Sequence, residues 1–121
     1  MLKKVKNSEK INALNGEYYI VDENNNIIQW FYNNGNLKYE QSFNENKELH
    51  NSNGPAFITY YKNGQKCCVE YHRNGELHNT EGPAVISYDR KANIIEEIYY
   101  LSNDFIASSI EESKTENLKR V

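Results

Sequence analysis

The chain is poor in apolar residues and has no long hydrophobic run. Only 38% of its 121 residues are hydrophobic, so we expect a core that is thin or one-sided. No run of about 18 apolar residues exists, so we expect no membrane-spanning segment. The basic start, residues 1–6, is not followed by the apolar stretch of a signal peptide, so we also expect no secretory signal.

Basic residues are in deficit. The chain has 17 Asp and Glu against 14 Lys and Arg, which gives a formal net charge of −3. A protein that binds DNA or RNA by neutralising phosphates needs a basic surface. This balance therefore argues against direct nucleic-acid binding.

Cysteine is scarce, and the two copies are adjacent. Neighbouring residues on a strand point to opposite faces, so a disulfide between Cys67 and Cys68 would be strained. Free thiols are typical of reducing compartments. We therefore expect a cytoplasmic protein of a bacterial host cell.

The clearest feature present is a tandem duplication. Residues 48–56, ELHNSNGPA, return as residues 76–84, ELHNTEGPA, and the flanking residues 56–60 match 84–88. A weaker match relates residues 21–28 to 88–95. A fixed spacing of this size is typical of repeat architectures.

Turn signals divide each repeat into strands. Three copies of the dipeptide Asn-Gly have their glycine at Gly35, Gly64 and Gly75. Each of these copies lies between runs rich in aromatic and β-branched residues. Asn-Gly favours the tight turn of a β-hairpin, because both residues accept a positive φ angle. In the third copy Ala92 stands where Gly64 would be, which puts the tightness of that turn in question. We predict one domain over residues 1–121, with hairpin repeats over residues 17–101.

The two ends differ from the repeats. Residues 1–16 are compatible with a short helix capped by Ser8 or with a frayed first strand. Residues 102–121 contain helix formers and no Gly or Pro. Ser102 or Asn103 could cap a helix, and Asp104 suits its first turn. The predicted fold is therefore all-β, an antiparallel β-hairpin array in a single meander-like sheet, with a C-terminal α-helix whose apolar stripe contains Ile106, Ile110 and Leu118.

The alternation of side chains predicts which sheet face is buried. Ala56, Ile58 and Tyr60 share one face, and the residues 28 positions later share it in the next repeat. Phe57 and Tyr61 lie on the opposite, partly solvated face.

The histidines are the first candidates for chemistry. His50 and His78 are repeat-equivalent, and His72 lies close by, but neither they nor the cysteines have the short spacing of a metal site. The simplest reading is that the rings bond the connector backbone. We predict no catalytic residue, metal or cofactor, and keep a small histidine-dependent hydrolase or nuclease as the alternative.

The aromatic residues are the better candidates for a binding site. The chain contains ten Tyr, four Phe and one Trp, more than a thin core can bury. Tyr and Trp are common anchors at protein interfaces. The alternative is that they pair across strands and only stiffen the sheet. The predicted partner-binding residues are Trp30, Tyr32, Tyr39, Phe57, Tyr61 and Tyr100.

The repeat units resemble a variant of the MORN repeat. The resemblance is carried by YYKNGQK at residues 60–66, by FYNNGNLK at residues 31–38, and by the connector His-Asn-Xaa-Xaa-Gly-Pro-Ala, and it covers residues 17–101. It implies an antiparallel hairpin array that acts by binding. Several bacterial relatives are antitoxin-like or immunity-like, and no catalytic residue belongs to the repeat.

We therefore expect a non-enzymatic protein-binding module, an inhibitor, antitoxin or immunity-type protein that occludes a toxin, effector or nuclease. A narrower alternative is a phage or viral anti-defence inhibitor of a nuclease complex, of the anti-CRISPR type. An open sheet edge would also allow a homodimer.

Overall fold

The computed structural model describes residues 10–110, and within them the chain forms a meander of antiparallel strands. The strands are β1 Lys10–Asn12, β2 Tyr18–Asp22, β3 Ile27–Phe31, β4 Leu37–Ser42, β5 Phe57–Tyr60, β6 Lys66–Glu70, β7 His72–Arg73, β8 Glu76–Leu77, β9 Val85–Tyr88, β10 Ile94–Leu101 and β11 Asp104–Ile110. In this part of the chain, nine strands make one sheet in the order β1-β2-β3-β4-β5-β6-β9-β10-β11, and β7 pairs with β8 alone. The predicted all-β hairpin array is confirmed.

The Asn-Gly signals lie at hairpin turns. Gly35, Gly64 and Gly75 have φ angles of 91°, 97° and 88°, values that L-residues with a side chain rarely adopt. Ala92 takes the same role in the third copy with φ 72°. Its N–H still donates to the carbonyl of Asp89 at 3.0 Å, as that of Gly64 does to Tyr61 at 2.9 Å. The turn at Ala92 is therefore as tight as the turn at Gly64 despite the missing glycine.

The core is thin, as the composition predicts. The buried hydrophobic residues in the described chain are Ala56, Val69 and Ala84, each at most 3% exposed. Val69 pairs with Ile58 on one side and Ile86 on the other, on the face predicted to be buried. Both alanines precede strands and use their backbone N–H groups to extend pairing, to Glu70 O and Ile98 O, at 2.8 Å each.

The predicted C-terminal helix is wrong where the structure describes it. Asp104–Ile110 is strand β11, paired with β10 from Leu101↔Asp104 outward. Ser102 and Asn103, with φ angles of 49° and 69°, form the two-residue turn between them. Pairing with β10 supplies the backbone hydrogen bonds that a helix would otherwise supply, and it overrides the local helix signal. Leu118 and the rest of residues 111–121 lie outside the described part.

At the other end the strand alternative is found. Lys10–Asn12 pairs with β2, and a short 3-10 turn spans Leu14–Gly16. Ser8, the proposed cap of the alternative helix, is not among the described residues. Within residues 10–110, no helix is long and apolar enough to cross a bilayer.

Candidate functional site

An aromatic ladder crosses four adjacent strands on one sheet face. Tyr19 stacks on Trp30 with ring centroids 4.5 Å apart, and Trp30 stacks on Tyr39 at 5.7 Å. Phe57 meets Tyr39 edge-on at 5.8 Å. All four rings are half-buried, so one side of the ladder stays accessible to solvent.

The register of the strands builds this ladder. The hairpin between β2 and β3 pairs Tyr19 with Trp30, and the next pairs Trp30 with Tyr39. Tyr39 faces Thr59, which leaves Phe57 as its diagonal neighbour on β5. Aromatic pairs of this kind contribute roughly 0.5–1.5 kcal/mol each beyond burial. The rings therefore hold one another in place.

The row of paired residues that contains the ladder becomes more polar toward the β11 end of the sheet. Across the strands, the residues paired in this row are Ile11, Tyr19, Trp30, Tyr39, Thr59, Cys68, Ser87, Glu96 and Ile110. Glu70, two residues from Cys68 on β6, lies on the same face. The face therefore carries aromatic rings on β2–β5. On β6, β9 and β10, which we call the acidic half, it carries the carboxylates of Glu70 and Glu96 beside Val85 and Ile98. Burial raises the pKa of the Cys68 thiol, which disfavours a reactive thiolate there.

The six predicted partner-binding residues lie in three different places. Trp30, Tyr39 and Phe57 come together in the ladder. The hydroxyls of Tyr32 and Tyr61 donate to the carbonyls of Tyr60 and Tyr88, at 2.6 and 2.7 Å, and so join successive repeats. The sixth residue, Tyr100, lies in the β10–β11 hairpin, away from the ladder.

Tyr100 contacts Phe105 edge-on at 5.9 Å. Tyr19 belongs to the ladder but was not predicted from the sequence. The sequence did contain the information needed. The polar turn after Asp22 sets the register of β2 against β3, and the register that pairs Asp22 with Ile27 also pairs Tyr19 with Trp30.

The two connectors have the same hydrogen bonds at equivalent positions. His50 Nδ1 accepts from Asn74 N, and His78 Nδ1 accepts from Ser102 N, both at 3.0 Å. Asn51 donates through Nδ2 to Pro55 O at 3.1 Å and Asn79 to Pro83 O at 2.9 Å. The repeated histidines do bond the backbone, but they do so at a hairpin turn that follows each connector and not, as the sequence had predicted, within the connector itself.

The connectors also bond to the segment that follows each of them. Gly75 N donates to Leu49 O, and 28 residues later Asn103 N donates to Leu77 O, at 2.8 Å in both cases. The structural repeat therefore reaches the β10–β11 turn, beyond the residues where the sequence repeat is visible.

Between the two connectors lies an open cleft of about 690 Å³. His50, His72 and His78 all line it. Among residues 10–110, no three His, Cys, Asp or Glu side chains converge closely enough to hold a metal ion. Cys67 and Cys68 carry free thiols.

Comparisons with protein-family models, with curated proteins and with solved structures find no match to this chain. The similarity to MORN repeats remains a resemblance in the residues quoted above.

Proposed function

We propose that this chain is a non-enzymatic protein-binding module, an inhibitor, antitoxin or immunity-type protein that acts by covering a surface of a partner protein. The observation that carries the proposal is the ladder Tyr19–Trp30–Tyr39–Phe57. Its rings are half-buried, pack against one another and are fixed by strand pairing. A prearranged aromatic surface loses little side-chain entropy when a partner covers it.

The acidic half of the same face indicates the chemistry of the partner. Glu70 and Glu96 follow the ladder toward β10, and the whole chain is acidic. Such a surface is complementary to an apolar patch bordered by Lys and Arg. Proteins that bind nucleic acid carry basic surfaces of this kind, so a nuclease, or a toxin or effector that acts on nucleic acid, fits.

Two biological settings share this mechanism. A cellular antitoxin or immunity protein and a phage or viral anti-defence inhibitor would both present an acidic aromatic surface to a basic enzyme. The neighbouring genes distinguish them. A toxin gene beside this one supports the first setting, and phage structural genes support the second.

Affinity capture from a host lysate, compared across variants, tests the proposal. Trp30→Ala and Tyr39→Ala should each reduce the amount of captured partner at least tenfold, a loss typical of interface anchors. Phe105→Ala is the matched control, because Phe105 is an exposed aromatic, 60% accessible, at the far edge of the sheet. High salt should weaken capture by screening the acidic half of the face. Equal capture by all of these variants would refute the proposal.

A further inference from the structure

Three rings of the ladder, those of Tyr19, Trp30 and Tyr39, stand on edge, so a partner meets ring edges and not ring faces. Tyr19 stacks on one face of Trp30 with the planes 19° apart, and Tyr39 stacks on the other with the planes 25° apart. Rings lying flat, side by side on the sheet, would bring their edge atoms closer than van der Waals contact at these centroid separations of 4.5 and 5.7 Å. A nucleic-acid base or a guanidinium group therefore has no open face of Trp30 to stack on.

The edges of these rings carry hydrogen-bond donors on three adjacent strands. Within residues 10–110, the Trp30 indole N–H and the hydroxyls of Tyr19 and Tyr39 bond to no other residue. Buried polar side-chain atoms without a partner occur in this range only at two histidine rings, so all three donors reach solvent. An indole N–H only donates, and a hydroxyl can donate as well as accept. The row is therefore suited to a partner that presents hydrogen-bond acceptors.

The ladder ends beside a carboxylate. Phe57, its last ring, pairs directly with Glu70 on β6, so the two side chains lie on the same face. The Glu70 side chain is 31% exposed, and its Oε1 atom lies 2.9 Å from His72 Nε2. Its Oε2 atom has no partner within the described residues. A basic side chain at this end of the row would meet an acceptor that it can pair with.

The spacing along the row matches a polyproline II helix. Neighbouring strands lie about 4.8 Å apart, so Tyr19 and Tyr39, which are two strands apart, are separated by roughly 10 Å. A polyproline II helix has three residues per turn and a rise of about 3.1 Å per residue, so it presents the same side about every 9 Å. From β2 to β6 the row spans roughly 19 Å, and such a helix crosses this distance in about six residues.

Other peptide conformations fit the row of donors less well. An α-helix uses its backbone carbonyls internally, and an extended strand pairs along the edge of a sheet and not across its face. A polyproline II segment leaves its carbonyls unbonded, and its prolines have no N–H to set against the indole N–H of Trp30. Aromatic-lined surfaces are a recurring means of binding such segments.

We propose that the ladder binds a proline-rich segment of the partner protein in the polyproline II conformation, about six residues long, with a Lys or Arg at the end beside Glu70. The carbonyls of the segment accept from Trp30 and the two tyrosines, and its prolines pack against the ring edges. The basic residue pairs with the Glu70 carboxylate. This inference rests on the proposed function, since it names the part of the partner that the ladder covers.

Calorimetric titration of the purified full chain with synthetic peptides tests the inference. The probe, called the proline–arginine peptide, has six prolines with an arginine at each end, so that it can bind in either chain direction. Three comparison peptides replace the prolines by alternating glycine and serine, replace both arginines by glutamate, or place the two arginines on an alanine-rich helix. The proline–arginine peptide should bind at least tenfold more tightly than each of them.

Two substitutions remove a donor and keep the stacked rings. Trp30→Phe removes the indole N–H, and Tyr39→Phe removes a hydroxyl that bonds to no other residue in the range 10–110. Each should weaken binding of the proline–arginine peptide about fivefold, the effect of one lost hydrogen bond. Because neither group bonds within the described chain, the fold should not change.

A third substitution tests the charged end of the row. Glu70→Gln keeps an acceptor for His72 and removes the negative charge, so it should weaken binding of the proline–arginine peptide about two- to fivefold. Glu96→Gln is the matched control. Glu96 lies on the same face two strands beyond Glu70, out of reach of the segment, so the affinity should not change.

The inference is overturned if the glycine–serine peptide or the helical peptide binds as tightly as the proline–arginine peptide, or if Trp30→Phe and Tyr39→Phe leave its binding intact. Partner capture that Trp30→Ala abolishes, together with no binding of the proline–arginine peptide, overturns this inference and leaves the proposed function standing. Peptide binding that is sensitive to Trp30→Phe, together with equal capture by Trp30→Ala, supports this inference and refutes the proposed function.

Discussion

The hydroxyl of Tyr32 donates a 2.6 Å hydrogen bond to the carbonyl oxygen of Tyr60, 28 residues further along the chain. Tyr61 makes the corresponding bond to the carbonyl of Tyr88, at 2.7 Å. Each of these tyrosines therefore spans one repeat and ties a hairpin turn to the next turn along. The residues that the sequence offered as binding candidates are here used to stack the repeats.

Replacing Tyr32 by Phe should destabilise the protein by about 1 kcal/mol, because one hydrogen bond is lost and the ring is kept. Urea unfolding monitored by circular dichroism measures this change. Tyr19→Phe is the control, because the Tyr19 hydroxyl makes no hydrogen bond within the described residues, and it should have little effect. Equal losses in the two variants would show that the bond to Tyr60 contributes nothing specific.

The third turn predicts a stabilising substitution. Ala92 has φ 72°, a left-handed conformation that is unfavourable for a residue with a Cβ atom. Ala92→Gly should therefore stabilise the protein by roughly 0.5–1 kcal/mol, net of the added freedom of the unfolded chain. The reverse change, Gly64→Ala at the equivalent position with φ 97°, should destabilise it by about 1 kcal/mol. Thermal unfolding of both variants measures these changes. Melting temperatures that shift in the same direction in both variants would contradict this interpretation.

The connector amides should matter more than other asparagines. Asn79 donates through Nδ2 to Pro83 O at 2.9 Å, and its Oδ1 accepts from Glu81 N at 3.0 Å. Asn79→Ala removes both bonds and should cost about 1–2 kcal/mol of unfolding free energy. Asn53 is exposed, and its side chain makes no hydrogen bond to another residue of the range 10–110, so Asn53→Ala is the control and should be close to neutral.

Stability should fall at alkaline pH. Burial raises the pKa of Tyr39, Tyr60 and Tyr88 above their ordinary value of 10.0, and a hydrogen bond to Glu17 raises the pKa of Lys38. The folded state therefore holds these protons more tightly than the unfolded chain does. As pH rises above 10, the unfolded chain releases them first, and the free energy of unfolding decreases.

Urea unfolding at a series of pH values measures this decrease. Tyr39→Phe removes one of the titrating groups, so its stability should fall less steeply with pH. An unchanged slope in that variant would exclude Tyr39 as a contributor.

The 28-residue spacing of the repeat also predicts a turn beyond the two copies that the sequence shows. Ser102 and Asn103 lie 28 residues after Asn74 and Gly75, so extending the repeat places a hairpin turn at residues 102–103. The local composition instead favoured a helix cap at Asn103. Asn103 occupies the position of Gly75, and Asn tolerates the left-handed conformation that Gly adopts there. Because the glycine is missing, the Asn-Gly turn signal is missing from the sequence too.

The candidate sites depend on register and distance, which composition does not contain. An excess of aromatic residues predicted an exposed cluster, but only strand pairing shows that Trp30, Tyr39 and Phe57 belong with Tyr19 while Tyr61 does not. The sequence likewise shows three histidines. The cleft that they line lies between two connectors 28 residues apart, outside the nine-stranded sheet, and no local sequence pattern encodes that arrangement.

Trp30 provides the most direct test of the central claim, because it is the chain's single tryptophan and lies in the middle of the ladder. Its fluorescence is measured while the captured partner is titrated into the purified protein. We expect the emission to shift to shorter wavelength and acrylamide to quench it less, because the partner covers the ring. A complex that forms while Trp30 emission and quenching stay unchanged would contradict the claim that this face is the binding surface.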